Sequence, residues 1–368
     1  MAKRILKGVK SEPKAKRTKS VNELNQSPLT LAMAAQNYEL IKELLDKGAN
    51  PNEPGLRGHS HIYVATVMDD EEILKLFLDH GTNVDSTDSS QGTALHMASV
   101  KNNVQSWTVL LDYGADVNKK SLFGRTPLHN AVALEHLNLV QKLLDYKADP
   151  NIQDSNGQSP LYMSALLGNG EIAEVLLKYN ANPDIQCPNN GESPLLAAAY
   201  LRHWNVVEKL LESNADPNIP DVHGTCPLHL AALCGKLAVV RRLLEIGANV
   251  NTKKFDGKTP LHLLAEVANS QEHIAILYEL LKHGVDINVQ DSQGQTALHR
   301  AVISFSEENN VACVKVVARL LEEPIDLNLR DANGKTALEM ALDKKCIDIS
   351  KMMVFRSFPK CTLSQIFY

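Results

Sequence analysis

The residues of this chain with the reach to do chemistry are its histidines and cysteines, and their spacing decides what chemistry that is. Five histidines, His96, His129, His229, His262 and His299, share one setting, the last place of a Thr/Cys-Pro/Ala-Leu-His tetrapeptide. A zinc hydrolase would need His-Glu-x-x-His, and a structural zinc or redox site would need Cys-x-x-Cys; neither occurs. The cysteines Cys187, Cys226, Cys234, Cys313, Cys346 and Cys361 are scattered, and read as free thiols of a reducing compartment. There is no Gly-rich phosphate loop and no Gly-x-Ser-x-Gly elbow. Carboxylates are spread over what should be solvated faces. An active site needs a concave constellation off the local pattern, and none is visible. The expectation is a protein that is not an enzyme, with no cofactor and no metal.

The histidine tetrapeptide is one mark of a repeat. It recurs as Ser27–Thr30, Ser60–Tyr63, Thr93–His96, Thr126–His129, Ser159–Tyr162, Ser193–Leu196, Cys226–His229, Thr259–His262, Thr296–His299 and Thr336–Glu339. The start-to-start spacings are 33, 33, 33, 33, 34, 33, 33, 37 and 40. A second mark follows at a fixed offset: Gly48–Asn52, Gly81–Asp85, Gly114–Asn118, Lys147–Asn151, Asn180–Asp184, Asn214–Asn218, Gly247–Asn251, Gly284–Asn288 and, more loosely, Pro324–Asn328. A period of this length marks a repeat architecture.

The paired marks resemble the ankyrin repeat over residues 26–355. The resemblance implies an all-α ankyrin-repeat α-solenoid of about ten helix-turn-helix units with projecting β-hairpin loops. It also implies that the motif histidines hydrogen-bond loops together, and that the chain works by binding another protein through a concave face and the loop tips.

Each repeated residue has a physical reason. Thr or Ser caps the first helix, and Pro fits its first position. The second helix carries Val-x-x-Leu-Leu, as in Val140–Leu144 and Val240–Leu244, apolar at helical spacing. Gly or Asn after it suits a left-handed cap. One such unit cannot bury its apolar side alone, so neighbours must stack. Extra residues near 268–272 and 304–310 are expected as longer loops.

Composition agrees: 44% hydrophobic and 22% charged residues describe a foldable soluble chain. No apolar run approaches the roughly 18 residues of a membrane span, and the N-terminus lacks the apolar core of a secretory signal. The net charge of −5 hides an asymmetry. Residues 1–20 hold eight Lys and Arg against Glu12, which leaves the rest of the chain twelve negative. Residues 1–25 read as a disordered basic tail in which Lys14, Lys16, Arg17 and Lys19 resemble a nuclear-localisation signal, a segment for an importin groove. Residues 356–368 read as an apolar tail that caps the stack or engages a partner.

The repeat accounts for most polar residues, so individuality must lie off its pattern. Leu122, Phe123 and Arg125 fall at one loop tip, His223 at a second and Phe255 at a third. Tyr200 should face the concave side, Trp204 should be partly exposed and Trp107 should be core. Aromatic and Arg residues dominate interface hot spots, so Leu122, Phe123, Arg125, Tyr200, His223 and Phe255 are the candidate partner-binding residues. The expected function is a monomeric scaffold or adaptor of cytoplasm or nucleus. The alternatives are a nuclear regulator masking a transcription or chromatin factor, and a ubiquitin-ligase substrate adaptor. The latter would need a SOCS box, of which only an opening at Thr362-Leu363 is present. Nucleic acid and membrane are not expected partners.

Overall fold

The computed structural model describes residues 26–55, 58–306 and 310–357. These fall into two compact units, divided between Cys187 and Pro188. Among the described residues each unit contains five helix pairs. The first helices of the first unit are Pro28–Ala34, His61–Met68, Ala94–Lys101, Pro127–Ala133 and Pro160–Leu167; the second helices are Tyr38–Asp46, Glu71–Asp79, Val104–Asp112, Leu137–Asp145 and Gly170–Lys178. In the second unit the first helices are Pro194–Tyr200, Pro227–Leu233, Pro260–Val267, Ala297–Ser304 and Ala337–Asp343. Their partners are Trp204–Glu212, Leu237–Glu245, Gln271–Lys282, Asn310–Leu321 and Ile347–Ser357. This is the all-helical ankyrin-repeat solenoid architecture, stacked helix pairs within each unit.

The helices begin where the caps require. The Oγ of Ser27 accepts the Thr30 N–H at 3.1 Å, and Ser159 accepts that of Tyr162 at 3.2 Å, with Pro28 and Pro160 at the first helical positions. Within a unit, first helices pack on first helices, as His61–Met68 does on Ala94–Lys101 and Pro227–Leu233 on Pro260–Val267. The seams are filled by the motif leucines: Leu95, Leu128, Leu228 and Leu261 are buried, and so are Leu143 and Leu243 of the second helices. Each contributes roughly 1.5–3 kcal/mol by leaving water. At the last described pair the seam is open: Leu342 and Ile347 are exposed.

Two features differ from expectation. The loops between pairs turn tightly but build no ladder; among the described residues there are only two single antiparallel bridges, Thr87 with Thr93 and Arg330 with Thr336. The extra residues of the eighth repeat go into helix rather than loop. Gln271–Lys282 has 12 residues against nine in Leu237–Glu245, because Gln-Glu-His-Ile-Ala-Ile-Leu-Tyr continues the helical pattern backwards. Asn310–Leu321 likewise has 12.

Candidate interaction surface

The motif histidines are fully committed to the fold. The Thr126 N–H donates to His129 Nδ1 at 3.1 Å, and His129 Nε2 bonds the Gln158 carbonyl, one repeat on, at 3.1 Å. His96 joins Thr93 to Arg125, His229 joins Cys226 to Lys258, His262 joins Thr259 to Gln295, and His299 joins Thr296 to Lys335 in the same way. A carbonyl can only accept, so Nε2 carries the proton and Nδ1 has a lone pair for the cap N–H. Burial pushes these rings down from the ordinary histidine value, His129 and His229 to about 4. With both nitrogens engaged, none can ligate a metal or act as a base. Among the described residues no group of three or more His, Cys, Asp or Glu could hold a metal ion. Glu339 replaces histidine in the tenth repeat and makes the Ser/Thr–Glu capping box: Thr336 N–H to Glu339 Oε2 at 2.8 Å, Glu339 N–H to Thr336 Oγ1 at 3.2 Å.

The loop tips are tied to one another by backbone. In the first unit the Leu122 N–H donates to the Ser90 carbonyl at 2.8 Å, and the Ser155 N–H to that of Phe123 at 2.9 Å. In the second unit Val222 is tied to Asn190 at 3.0 Å, Phe255 to His223 at 2.9 Å and Ser292 to Asp256 at 2.8 Å. This close approach explains the tip glycines. A Cβ on Gly124 would sit 2.8 Å from the Ser155 nitrogen, and one on Gly257 2.9 Å from Asp291 Cα.

Most tips turn around an aspartate. Asp154 Oδ1 accepts the N–H of Asn156 at 2.9 Å and of Gln158 at 3.1 Å. Asp88, Asp221, Asp291 and Asp331 cap their turns in the same two-bond fashion. The residues presented outward from such tips are mostly small or polar.

Against that background the six candidates fall as follows. Leu122 is 57% exposed, Phe123 65% and Phe255 79%; Val222, beside His223, is 46% exposed. His223 is exposed and gives its carbonyl to Phe255. Arg125 is half-buried: its carbonyl receives His96, and its Nε lies 3.5 Å from Asp154 Oδ2. Tyr200 is 40% exposed, and its hydroxyl donates to Asp221 Oδ2 at 2.5 Å. Burial together with that carboxylate pushes it up to about 12, so it is a neutral donor at any working pH. Phe255 and His223 are thus brought together, as are Leu122, Phe123 and Arg125. Trp107 is buried, and half-buried Trp204 lies under the Lys236 ammonium, 5.6 Å from the ring centroid. Lys14, Lys16, Arg17 and Lys19 lie outside the described residues, as do the residues after Ser357.

A row of contacts that the sequence reading missed lies at the ends of the second helices in the first unit. The hydroxyls of Tyr113, Tyr146 and Tyr179 donate to Asp79, Asp112 and Asp145 of the preceding repeats at 2.5, 2.6 and 2.5 Å. The Asp-Tyr dipeptides at 112–113 and 145–146 carried the signal, but each residue pairs one repeat away from its sequence neighbour.

Compared with known proteins, the chain matches the family model for ankyrin repeats (3 copies) in overlapping windows over residues 2–88, 29–121, 61–154, 110–187, 128–221, 168–254, 217–291 and 264–362. No curated protein matches it. Among solved structures it is similar to the ankyrin repeat domain of Bcl-3, a member of the IkappaB protein family. That match has 25% identity and a TM-score of 0.48, covering 56% of this chain and 92% of that one. It is also similar to an ankyrin repeat domain from Acinetobacter baumannii, at 25% identity and a TM-score of 0.48, covering 51% of this chain and 97% of that one.

Proposed function

The chain belongs to the ankyrin repeat family, and from that premise we propose that it is a scaffold or adaptor that grips another protein through its loop tips and the exposed sides of its first helices. The fold is that of a protein–protein interaction module. What carries the reading is the exposure of Leu122, Phe123 and Phe255 on tips whose backbones are locked to their neighbours. Large apolar side chains on a rigid frame lose little entropy on docking. Arg125 in the first unit, and Tyr200 and His223 in the second, are the polar contacts this reading assigns.

The test compares the full chain with a Phe123→Ala/Phe255→Ala double variant by affinity purification, mass spectrometry and reconstitution of the recovered complex. The variant should lose the partner while its thermal unfolding stays within a degree or two, on the order of 0.5 kcal/mol. A large drop in unfolding temperature would place these rings in the core instead. Retained binding would remove them from the surface.

A second reading, a nuclear regulator that masks a transcription or chromatin factor, is favoured by the basic segment Lys14, Lys16, Arg17 and Lys19. It requires import through an importin. Removing residues 1–20 from a fluorescent fusion should then empty the nucleus; an unchanged distribution removes this support. Cytoplasm, nucleus or both is the proposed location.

A further inference from the structure

Four loop tips lack the turn aspartate; the second and sixth repeats have Gly55 and Pro188 at its place and no lysine beside it, while the other two depart from the rule alike. Where Asp88, Asp154, Asp221, Asp291 and Asp331 cap their turns, the fourth and eighth repeats have Ser121 and Lys254. Both tips carry a lysine pair just before or at that place, Lys119-Lys120 in one and Lys253-Lys254 in the other. Both follow it with a large exposed apolar residue, Leu122 and Phe255, with Phe123 next in the first tip. Leu122 and Phe255 hold equivalent positions, each donating its N–H to the previous tip, at 2.8 and 2.9 Å. One such tip lies in each unit, four repeats apart in sequence.

The substitutions cost the fold something. The Ser121 turn keeps its backbone bond to Arg125 at 2.9 Å without the two carboxylate bonds of an aspartate tip. In the other, Asp256 supplies one bond, to Lys258 at 3.2 Å. A capping bond is worth about 1 kcal/mol, and exposed Leu and Phe gain nothing from the core. Charge moves in step: each tip gains two cations, and the fourth repeat's tip also loses its anion, whereas the eighth keeps one in Asp256. The neighbouring cations are neutralised, Arg125 by Asp154 and Lys258 by Glu266. The ammonium groups of Lys119, Lys120, Lys253 and Lys254 have no carboxylate within 4.0 Å among the described residues, and Lys120 reaches only the Gln153 carbonyl. Each tip therefore sets an apolar point next to two lysines with no ion-pair partner among the described residues, on a body that is otherwise negative.

We propose that these two tips are paired docking points for acidic peptide segments that carry an apolar anchor, one segment per tip. This rests on the interaction reading above and specifies the chemistry of what is bound. The complement of two unpaired ammonium groups beside a Phe or Leu is a carboxylate cluster beside an aliphatic or aromatic side chain. Exposed ion pairs add little affinity singly, but the two like charges of each tip steer an acidic segment and disfavour a basic one. The apolar anchor supplies the slow dissociation.

The probe is a fluorescein-labelled peptide of glutamates around a central Leu-Phe pair, titrated into the full chain. Two control peptides replace its glutamates by lysine or its Leu-Phe by Ala-Ala. The acidic peptide should bind with a stoichiometry of two and weaken as salt rises; both controls should bind about tenfold more weakly or worse. Lys119→Glu/Lys120→Glu should remove one site, adding Lys253→Glu/Lys254→Glu should remove both, and the four Lys→Arg changes should keep both. Unchanged thermal unfolding certifies the variants as folded.

No binding of the acidic peptide, or binding undiminished by the four reversals, overturns the proposal. So does lysine-dependent cosedimentation with phosphatidylserine vesicles by a chain that ignores the peptide, since the tips would then be membrane contacts. The recovered complex separates the two claims: if Phe123→Ala/Phe255→Ala abolishes it while the charge reversals leave it intact, the scaffold reading stands and the acidic partner falls.

Discussion

At the ends of their second helices the two units are wired differently. In the first, Asp46, Asp79, Asp112 and Asp145 each take a bond from the residue that caps the next second helix, His80, Tyr113, Tyr146 and Tyr179. In the second, the helix-end places hold Glu212, Glu245 and Lys282, followed by Ser213, Ile246 and His283. The ties there lie further back: Arg241 Nε to Glu279 at 2.7 Å, and the Arg319 guanidinium 5.1 Å over the Tyr278 ring. The seams beneath are alike, filled by the same buried Leu and Val. The repeat thus dictates its interior and leaves this outer edge free. Three of the four rungs in the first unit use neutral hydroxyl donors; the second unit uses charges.

The chain holds one tryptophan in each unit, Trp107 and Trp204. Each can therefore report its own unit when the other is replaced by Phe. With those reporters, the largest expected effect is one the units share. Burial lowers three histidines in each, His61, His96 and His129 against His229, His262 and His299. An unfolded imidazole takes a proton near 6.5, whereas these rings stay neutral in the fold, His129 and His229 down to about 4. The stabilisation is complete above pH 6.5 and is lost as pH falls toward 4, on the order of 3 kcal/mol for such a ring. Urea midpoints measured at pH 7 and pH 4.5 should fall steeply for both tryptophans. A unit that ignores acid would show its histidines to be solvated.

Next come Leu143→Ala and Leu243→Ala, equivalent buried positions in the two units. Each should cost about 2–5 kcal/mol, by similar amounts if the interiors are as alike as they look. Unequal losses would locate a packing difference beneath the outer edge. A smaller effect should separate the units: raising salt weakens the Arg241–Glu279 tie more than the hydroxyl rungs. Tyr146→Phe should lower the midpoint reported by Trp107 slightly and leave that of Trp204 alone. A double-mutant cycle with Asp112→Asn isolates the rung. Smallest of all, Phe123→Ala and Phe255→Ala should leave both midpoints in place.

The repeat phase, the caps and the structural use of the histidines were legible because each depends on residues a fixed step apart. Trp107 in the core followed from its helical register, and Phe123 and Phe255 on the outside followed from their place in the turn. The rungs of Asp and Tyr were not read, since adjacency in sequence hid a pairing across the period. The longer second helices were expected as loops: an insertion changes spacing whether or not it is helical, and only the pattern of Ile274, Leu277 and Leu280 tells which. Tyr200 looked like a free aromatic; its bond to Asp221 joins residues far apart in sequence.

The asparagines that close the second mark tie each of their repeats to the next. Asn118 donates to the Lys147 carbonyl at 3.4 Å and accepts the Asp149 N–H at 2.8 Å. Asn52, Asn151, Asn218, Asn251 and Asn288 reach the following repeat in the same two ways. Both bonds end on main chain, which every repeat possesses whatever its side chains. A repeat copied or deleted as a whole would meet its new neighbour with the same pair of bonds, so copy number can drift while the joint stays the same.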